Sequence, residues 1–321
     1  MFSETCWLHS ESDLAASIRH GRSGELKVAL ECSHCLLKRA VNQARLASDD
    51  PEIQMAVIAE MTRFLGEALT PGSVPSHIGT DRDLLVQRIT GKDPYLQLKI
   101  ESNRMALGLL PDLEKAVATL DGPEKRFRMA TLIAAAANAI EFDVAGREFS
   151  LDDLKALVRD VEGELAIDHI DRFRELCLGV SEVLYLMDNA GEIVLDTLLI
   201  REIQQAGPSV VAVVKGGPVL NDATIDDAEM VNLSRYADRV VSTGTAAIGV
   251  NLERSSREFV SMLESAQLIV AKGMGNYESL TEIETGCPVV HILRTKCDPV
   301  ARHIGVPRNV NVILVREPRV T

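Results

Sequence analysis

The chain has 321 residues, room for one large domain or two ordinary ones. Hydrophobic residues make up 46% and aromatics only 4%, so the core must be built from Ala, Val, Leu and Ile. That suits packed helices and a parallel sheet better than an aromatic-rich β sandwich. A formal net charge of −13 argues against a general nucleic-acid binder, which needs Lys and Arg for phosphates, and fits an enzyme whose clustered carboxylates favour a cation.

Residues 1–24 are polar and lack periodicity, and they read as an N-terminal tail. They carry no basic segment followed by a long apolar run, and no window holds the roughly 18 apolar residues of a membrane span. The six cysteines do not make a disulfide framework in a chain of this length. Together these features predict a cytoplasmic protein.

Residues 25–178 are predicted to be a helical domain. PEIQMAVIAEMTRFLGEAL (51–69) and PYLQLKIESNRMALGLLPDLEKAVATL (94–120) place apolar residues three and four apart, with Pro51 and Pro94 in the first turn. FRMATLIAAAANAIEF (127–142) is apolar on nearly every face, as a helix buried on several sides would be. No strand is predicted in this part. ECSHC supplies Cys32-x-x-Cys35. A single CxxC is a weak zinc signal, so the alternatives are two cysteines on one helix or a second metal or redox site, with Cys287, Cys297, His34 and His291 as distant partners.

Residues 179–321 change pattern. Short β-branched runs appear: EVLYLM, SVVAVV, RVVS, QLIVA, PVVHIL and NVILV. Helical spacing separates most of them: IVLDTLLIREIQQ, TIDDAEMVNLSRY, REFVSMLESA, YESLTEIE and DPVARHI. The alternation predicts an α/β domain, a doubly wound and mostly parallel Rossmann-like sheet beside the all-helical N-terminal domain.

In such sheets ligands bind at the carboxyl ends of the strands, near the point where strand order reverses. The segments there are DNAGE (188–192), KGGPVLND (215–222), STGTAAIGVN (242–251), AKGMGNYE (271–278) and RTKCDPVA (294–301). Asp188, Asn189 and Asp222 offer two carboxylates and an amide, oxygen donors suited to a hard divalent cation. Asp188 alone reads equally as a helix cap. Asp226 and Asp227 read as a solvated first helical turn. The loops GTAAIG, with Gly244 and Thr245, and KGMGN, with Gly275 and Asn276, have the glycines that let backbone amides approach a phosphate. Neither matches a Walker or dinucleotide fingerprint, so tight turns remain the alternative. Lys215, Lys272 and Lys296 follow strands on the same rim, and Lys296 is placed to meet a phosphate oxygen. Asp93, Lys99 and Asn103 fall on one helical face that could look toward the site. Asp196 reads as an ordinary helix residue.

These motifs, with DPY-x3-K-x3-N (93–103), AANAIEFD (136–143) and the CxxC, resemble the prokaryotic branch of the metal-dependent damage-control phosphatases, formerly domain of unknown function 89. The resemblance spans residues 28–321 approximately. It implies a divalent metal (Mg, Mn, Co or Ni) held by Asp188, Asn189 and Asp222, with Asn221 and Glu192 flanking it and Gly275, Asn276 and Lys296 on the phosphate. It implies hydrolysis of sugar phosphates or of damaged and unwanted phosphometabolites. Glu141 stands where Asp is expected. The mechanism is metal-assisted attack by water or by an aspartate, although the DxDx[TV] spacing of aspartyl-phosphate enzymes is missing. The rival readings are an S-adenosylmethionine-dependent methyltransferase and a non-catalytic metal- or phosphometabolite-binding protein.

Overall fold

The computed structural model describes residues 25–139 and 151–318. Glu141 therefore lies outside the described residues. Among those described, no helix is long and apolar enough to cross a membrane.

Three helices come first: α1 (Leu30–Ala47), α2 (Pro51–Ala68) and α3 (Pro75–Thr90). Their local signals are plain in α2. Asp50 accepts a hydrogen bond from the Glu52 amide, Pro51 opens the first turn, and Val57, Met61 and Leu65 recur every fourth residue on the buried face. These side chains join Leu36, Ala40, Ile78 and Val86 in a core of their own.

Helices α4 (Leu96–Ala118) and α5 (Pro123–Ala139) behave differently. Phe127, Leu132, Ile133 and the alanines 134–137 are buried in the same core as the sheet, as the all-round apolar pattern predicts. Small alanines let α5 lie close against α8 (Glu192–Ala206), which is itself buried on nearly every face. Pro94 sits in a turn just before α4, where the Asp93 carboxylate accepts from the Tyr95 amide, rather than in the first helical turn.

Helix α6 (Leu151–Gly163) leads into β1 (Leu165–Asp168), and α7 (Ile170–Leu178) follows. Strand β1 corrects the expectation that this part holds no strand. LAID is too short to show a period, and only its pairing with β7 makes it a strand.

The remaining strands are β2 (Glu182–Leu186), β3 (Ser209–Val214), β4 (Arg239–Ser242), β5 (Ile269–Lys272), β6 (Val289–Arg294) and β7 (Asn311–Arg316). Their order is β1-β7-β6-β5-β2-β3-β4. Strands β4, β3, β2, β5 and β6 run parallel; β7 is antiparallel to β6, and β1 is parallel to β7. The chain moves from β2 outward through β3 to β4, then returns to the other side of β2 with β5. The strand order therefore reverses between β2 and β5, and DNAGE and KGMGN leave the sheet on either side of that crevice.

Two predicted helices differ in detail. YESLTEIE belongs to α11 (Gly273–Leu280), which starts directly at the end of β5, so KGMGN is a first helical turn rather than a loop. Gly273, at φ +75°, makes that abrupt entry possible. TIDDAEMVNLSRY splits into α9 (Ile225–Met230) and a 3-10 turn (Leu233–Arg235), parted at Asn232 with φ 54°. The other two helices are α10 (Arg257–Ser265) and α12 (Asp298–Ile304).

Candidate active site

The segment after β2 does not spend Asp188 on a helix cap. Gly191 takes the N-cap position of α8, and its amide donates to Asn103 Oδ1 at 2.7 Å. Asp188 and Asn189 are thereby left at the floor of a cleft. An antiparallel bridge joins Asn189 to Asp222, with Ala223 N donating to Asp188 O at 2.8 Å and Ala190 N to Asn221 O at 2.9 Å. The backbone of two successive strand-end segments thus clamps the three oxygen donors side by side. Asp188, Asn189, Asn221, Asp222, Gly275 and Lys296 all line a cleft of about 150 Å³.

The amide orientation is fixed by its neighbours. Asn189 Nδ2 donates to Asp188 Oδ2 at 2.9 Å and to Glu192 Oε1 at 2.6 Å. With the NH₂ group spent on carboxylates, Oδ1 is the free oxygen of that side chain. Asn138, on α5, does the same work from the other side. Its Nδ2 donates to Asp188 Oδ2 at 2.9 Å and to Glu192 Oε1 at 3.0 Å, while its Oδ1 accepts from Arg294 N at 3.2 Å.

The charge balance favours a cation. Burial, then the neighbouring Glu192 and Asp222 carboxylates, push the Asp188 carboxyl well above the usual range, with Lys296 and Lys272 pulling the other way. Burial also pushes Asp222 up to about 6, against the pull of Lys215 3.6 Å away. A carboxylate raised by its neighbours in this way is relieved by a nearby cation. Two carboxylate side chains, one correctly turned amide oxygen and room for water and phosphate are the donor set that Mg²⁺-like ions take. Among the described residues no group of three or more His, Cys, Asp or Glu side chains is arranged to hold a metal.

Beneath the cleft lies a fully buried charge chain. Lys272 Nζ sits 3.2 Å from Glu192 Oε2 and 2.6 Å from Asp196 Oδ1, and all three side chains are at most 1% exposed. Lys272 is thus not a solvated strand end, and Asp196 is not an ordinary helix residue. Lys215 is buried as well, donating to Gly249 O at 2.7 Å.

Gly273 was not singled out in the sequence, yet it has the tightest approach of all. A Cβ there would lie 1.9 Å from Asp188 Oδ2. Asn138 was missed too, although an Asn inside an alanine-rich apolar helix is a usable signal.

Several expected phosphate ligands lie elsewhere. Gly244 and Thr245 pack against the Gly216 turn, where Gly216 N donates to Thr245 O at 3.0 Å; their loop reaches the cleft only through Ile248. Asn276 Nδ2 donates to Met187 O at 3.1 Å and Lys272 O at 2.9 Å, tying β2 to β5. Asp93, Lys99 and Asn103 stand behind the site. Lys99 Nζ is 3.3 Å from Asp93 and 3.6 Å from Asp227, and Asn103 Nδ2 donates to Asp227 at 2.8 Å. Asp226 is exposed as expected, but Asp227 is buried and caps α9 by accepting from Thr224. Asn103 braces the start of α8, and Lys99 and Asp93 link to it through Asp227 of α9.

Cys32 and Cys35 are free, on α1, beside a second cavity that opens next to the cleft. Cys297 lines the same cavity, whereas Cys287 and His291 are buried in the core. Burial raises the Cys32 thiol and pushes Cys297 up to about 11. Of the alternatives for Cys32 and Cys35, the two lie on one helix, and among the described residues no group of three or more His, Cys, Asp or Glu side chains gathers with them to hold a metal.

A family model described as the damage-control phosphatase ARMT1-like domain matches residues 28–312. The chain belongs to this family. A damage-control phosphatase of Archaeoglobus fulgidus is 36% identical over 283 residues, covering 88% of this chain and 96% of the relative. One from Pyrococcus horikoshii is 31% identical over 292 residues, covering 90% and 98%. An uncharacterised protein of Methanocaldococcus jannaschii is 37% identical over 302 residues, covering 92% and 97%. The crystal structure of a DUF89 family protein from Pyrococcus horikoshii matches with a TM-score of 0.82 at 28% identity, covering 92% of this chain and all of that one. The damage-control phosphatase fold and the sheet order described above thus belong together.

Proposed function

We propose that this member of the family is a metal-dependent phosphomonoester hydrolase acting on small phosphometabolites. The observation that carries the reading is the backbone-clamped set Asp188, Asn189 and Asp222 at the strand-order reversal, with Lys296 on the same cleft. Asp188, Asn189 Oδ1 and Asp222 would hold the divalent ion, Mg, Mn, Co or Ni. Bound there, such an ion neutralises charge on the transferring phosphoryl group and favours an attacking water.

The chain's own groups do the rest. Lys296 lies near enough to Asp188 to lower its carboxyl, so a phosphate bridging that region meets its ammonium. The first turn of α11 brings Gly275 to the cleft wall, where a helix N-terminus favours an anion. Asn138 and Glu192 keep the donors in place while substrate enters. An S-adenosylmethionine reading gains nothing here, because the turn after β2 presents cation donors where that cofactor would need a glycine-rich approach.

The test is turnover of p-nitrophenyl phosphate after EDTA treatment, then with Mg²⁺, Mn²⁺, Co²⁺ or Ni²⁺ added back. Activity restored by at least one ion is expected. A folded protein inactive with all four overturns the reading.

A further inference from the structure

The second cavity, of about 260 Å³, shares Arg39, Ile248, Met274, Gly275 and Lys296 with the cleft, so the two are continuous. Together they have the size of a small-metabolite site. The far part of this cavity is built from α3. Ser76 and Arg82 line it and are 2% and 1% exposed, yet Ser76 Oγ and Arg82 Nη2 have no hydrogen-bond partner.

Buried donors without partners are costly, and a buried guanidinium without a carboxylate more so. Arg82 Nε donates only to the neutral Gln43 Oε1, at 3.0 Å. Asp83, the nearest acid in sequence, attracts Arg82 through space, but its hydrogen bonds go to Gln43 and Gln87 and leave Arg82 Nη2 without a partner. Arg39, on the same cavity, is hydrogen-bonded to Cys35 and attracted by Glu278. The two guanidiniums are close enough that Arg39's charge adds to burial in lowering Arg82 to about 10. Glu278 lines the same cavity; burial pushes it up to about 7 against the pull of Arg39, and no carboxylate hydrogen-bonds Arg82 Nη2. Glu31 and Asp298, also on the lining, are engaged with Arg302 and Arg308 respectively. Ser76 adds the start of a 16-residue helix whose N-cap, Val74, supplies no side chain to the first turn.

We propose that this cavity is a second anion subsite, in which Arg39, Arg82 and Ser76 hold a carboxylate or second phosphate on the leaving group. The inference rests on the hydrolase reading for the identity of the other end, the phosphate at Asp188, Asn189 and Asp222. The preferred substrates are then phosphate esters that carry a further anionic group, such as phosphorylated sugar acids or bisphosphates, rather than neutral-tailed monophosphates.

The first arm needs no catalysis. Metal-free protein in EDTA is melted with increasing inorganic phosphate and, separately, malonate. Without metal the carboxylate-rich cleft repels anions, so a saturable rise in Tm of roughly 2–4 °C at millimolar anion reports the arginine subsite. The rise should vanish in Arg82→Gln and Arg39→Gln and persist in part in Arg82→Lys. Ser76→Ala serves if Arg82→Gln does not fold, and it should weaken the anion dependence. No rise in the wild type, or an undiminished rise in the glutamine variants, overturns the proposal.

The second arm compares kcat/KM for phosphoglycerate against glycerol phosphate, and for a hexose bisphosphate against the monophosphate. A tenfold or greater preference in the first pair identifies a carboxylate, in the second a phosphate. Equal values in both pairs overturn the subsite. Inactivity toward every ester, with the Tm response intact, would instead remove the hydrolase reading and leave the anion site standing.

Discussion

Gly273→Ala adds one methyl group and attacks the site at its narrowest point. Gly273 stands at φ +75°, where a residue with a Cβ is strained by about 1–2 kcal/mol. The new Cβ would lie 1.9 Å from Asp188 Oδ2 and 2.3 Å from Cγ, whereas real Cβ atoms essentially never come closer than 3.0 Å. The carboxylate would have to withdraw by roughly 1 Å. It cannot do so cheaply, because Asn138 and Asn189 both hold Oδ2 at 2.9 Å. A displacement of that size at a ligand or reacting group costs about 100-fold in rate. The expected result is a fall of about 100-fold in metal-dependent p-nitrophenyl phosphate turnover. The metal concentration for half-maximal activity should rise as well, and the metal-free Tm should drop by only a few degrees. The assay is a metal titration of the EDTA-treated variant, with a melt to establish folding. Turnover within about threefold of wild type would show that Asp188 is not held where the reaction needs it, and the assignment of the cleft would fail.

Asp188→Ala and Asp222→Ala should each abolish turnover and also the rise in Tm that divalent metal gives the wild type; either variant keeping the metal-dependent rise removes that residue from the donor set. Lys272→Met strands Glu192 and Asp196 without their buried cation, and chemical denaturation should show a loss of roughly 3–5 kcal/mol, against less than 1 if the pair is inconsequential. His291 is fully buried with neither ring nitrogen hydrogen-bonded, and burial, reinforced by Arg316, lowers it to about 3. A base held neutral in the fold but protonated when unfolded costs stability below its ordinary value of 6.5 and down through about 3. At pH 5.5 the deficit relative to pH 7.5 is about 1.4 kcal/mol, and His291→Leu should remove that acid-side loss in denaturation curves taken at both pH values. An unchanged pH dependence would mean that His291 is not the group responsible.

The strands from β2 to β7 and most helices were legible because their signals are local: β-branched runs of four to six residues, and apolar spacing of three and four. Strand β1 was not legible, since LAID becomes a strand only by pairing with a segment about 145 residues later. The meeting of Asp188, Asn189 and Asp222 in one cleft was legible because strand ends in a doubly wound sheet converge, and that rule needs only the strand assignments. It fails for residues whose role depends on which way a side chain turns. Lys99 and Asn103 share a face of α4 while Asp93 lies in the turn before it, and of the three only Asn103 reaches the first turn of α8. Gly244 and Thr245 have the composition of a phosphate loop, yet their glycine is spent on a loop-to-loop contact with Gly216. Gly273 is silent in one dimension, because a single glycine acquires meaning only from Asp188 lying against it, whereas Asn138 leaves a signal inside its alanine-rich helix but not the identity of its partners.

The buried chain Glu192–Lys272–Asp196 explains why so many charges collect under one cleft. Burial favours the protonation of Asp188 and Asp222, with repulsion from Glu192 and Asp222 adding to it at Asp188 and from Asp83 at Asp222. Glu192 fixes both asparagine amides, which only a carboxylate accepting several N–H groups can do, and its charge is part of that repulsion. Lys272 offsets it from below, at 3.2 Å, without entering the cleft or competing for the donors' free oxygens. Lys272 would then carry an excess charge toward the core, and Asp196, one turn along α8 from Glu192, balances it at 2.6 Å. Alternating signs let the cleft stay electronegative over a few ångströms while the interior below stays close to neutral. A cation entering the cleft therefore meets preoriented oxygens whose reorganisation cost has already been met in folding.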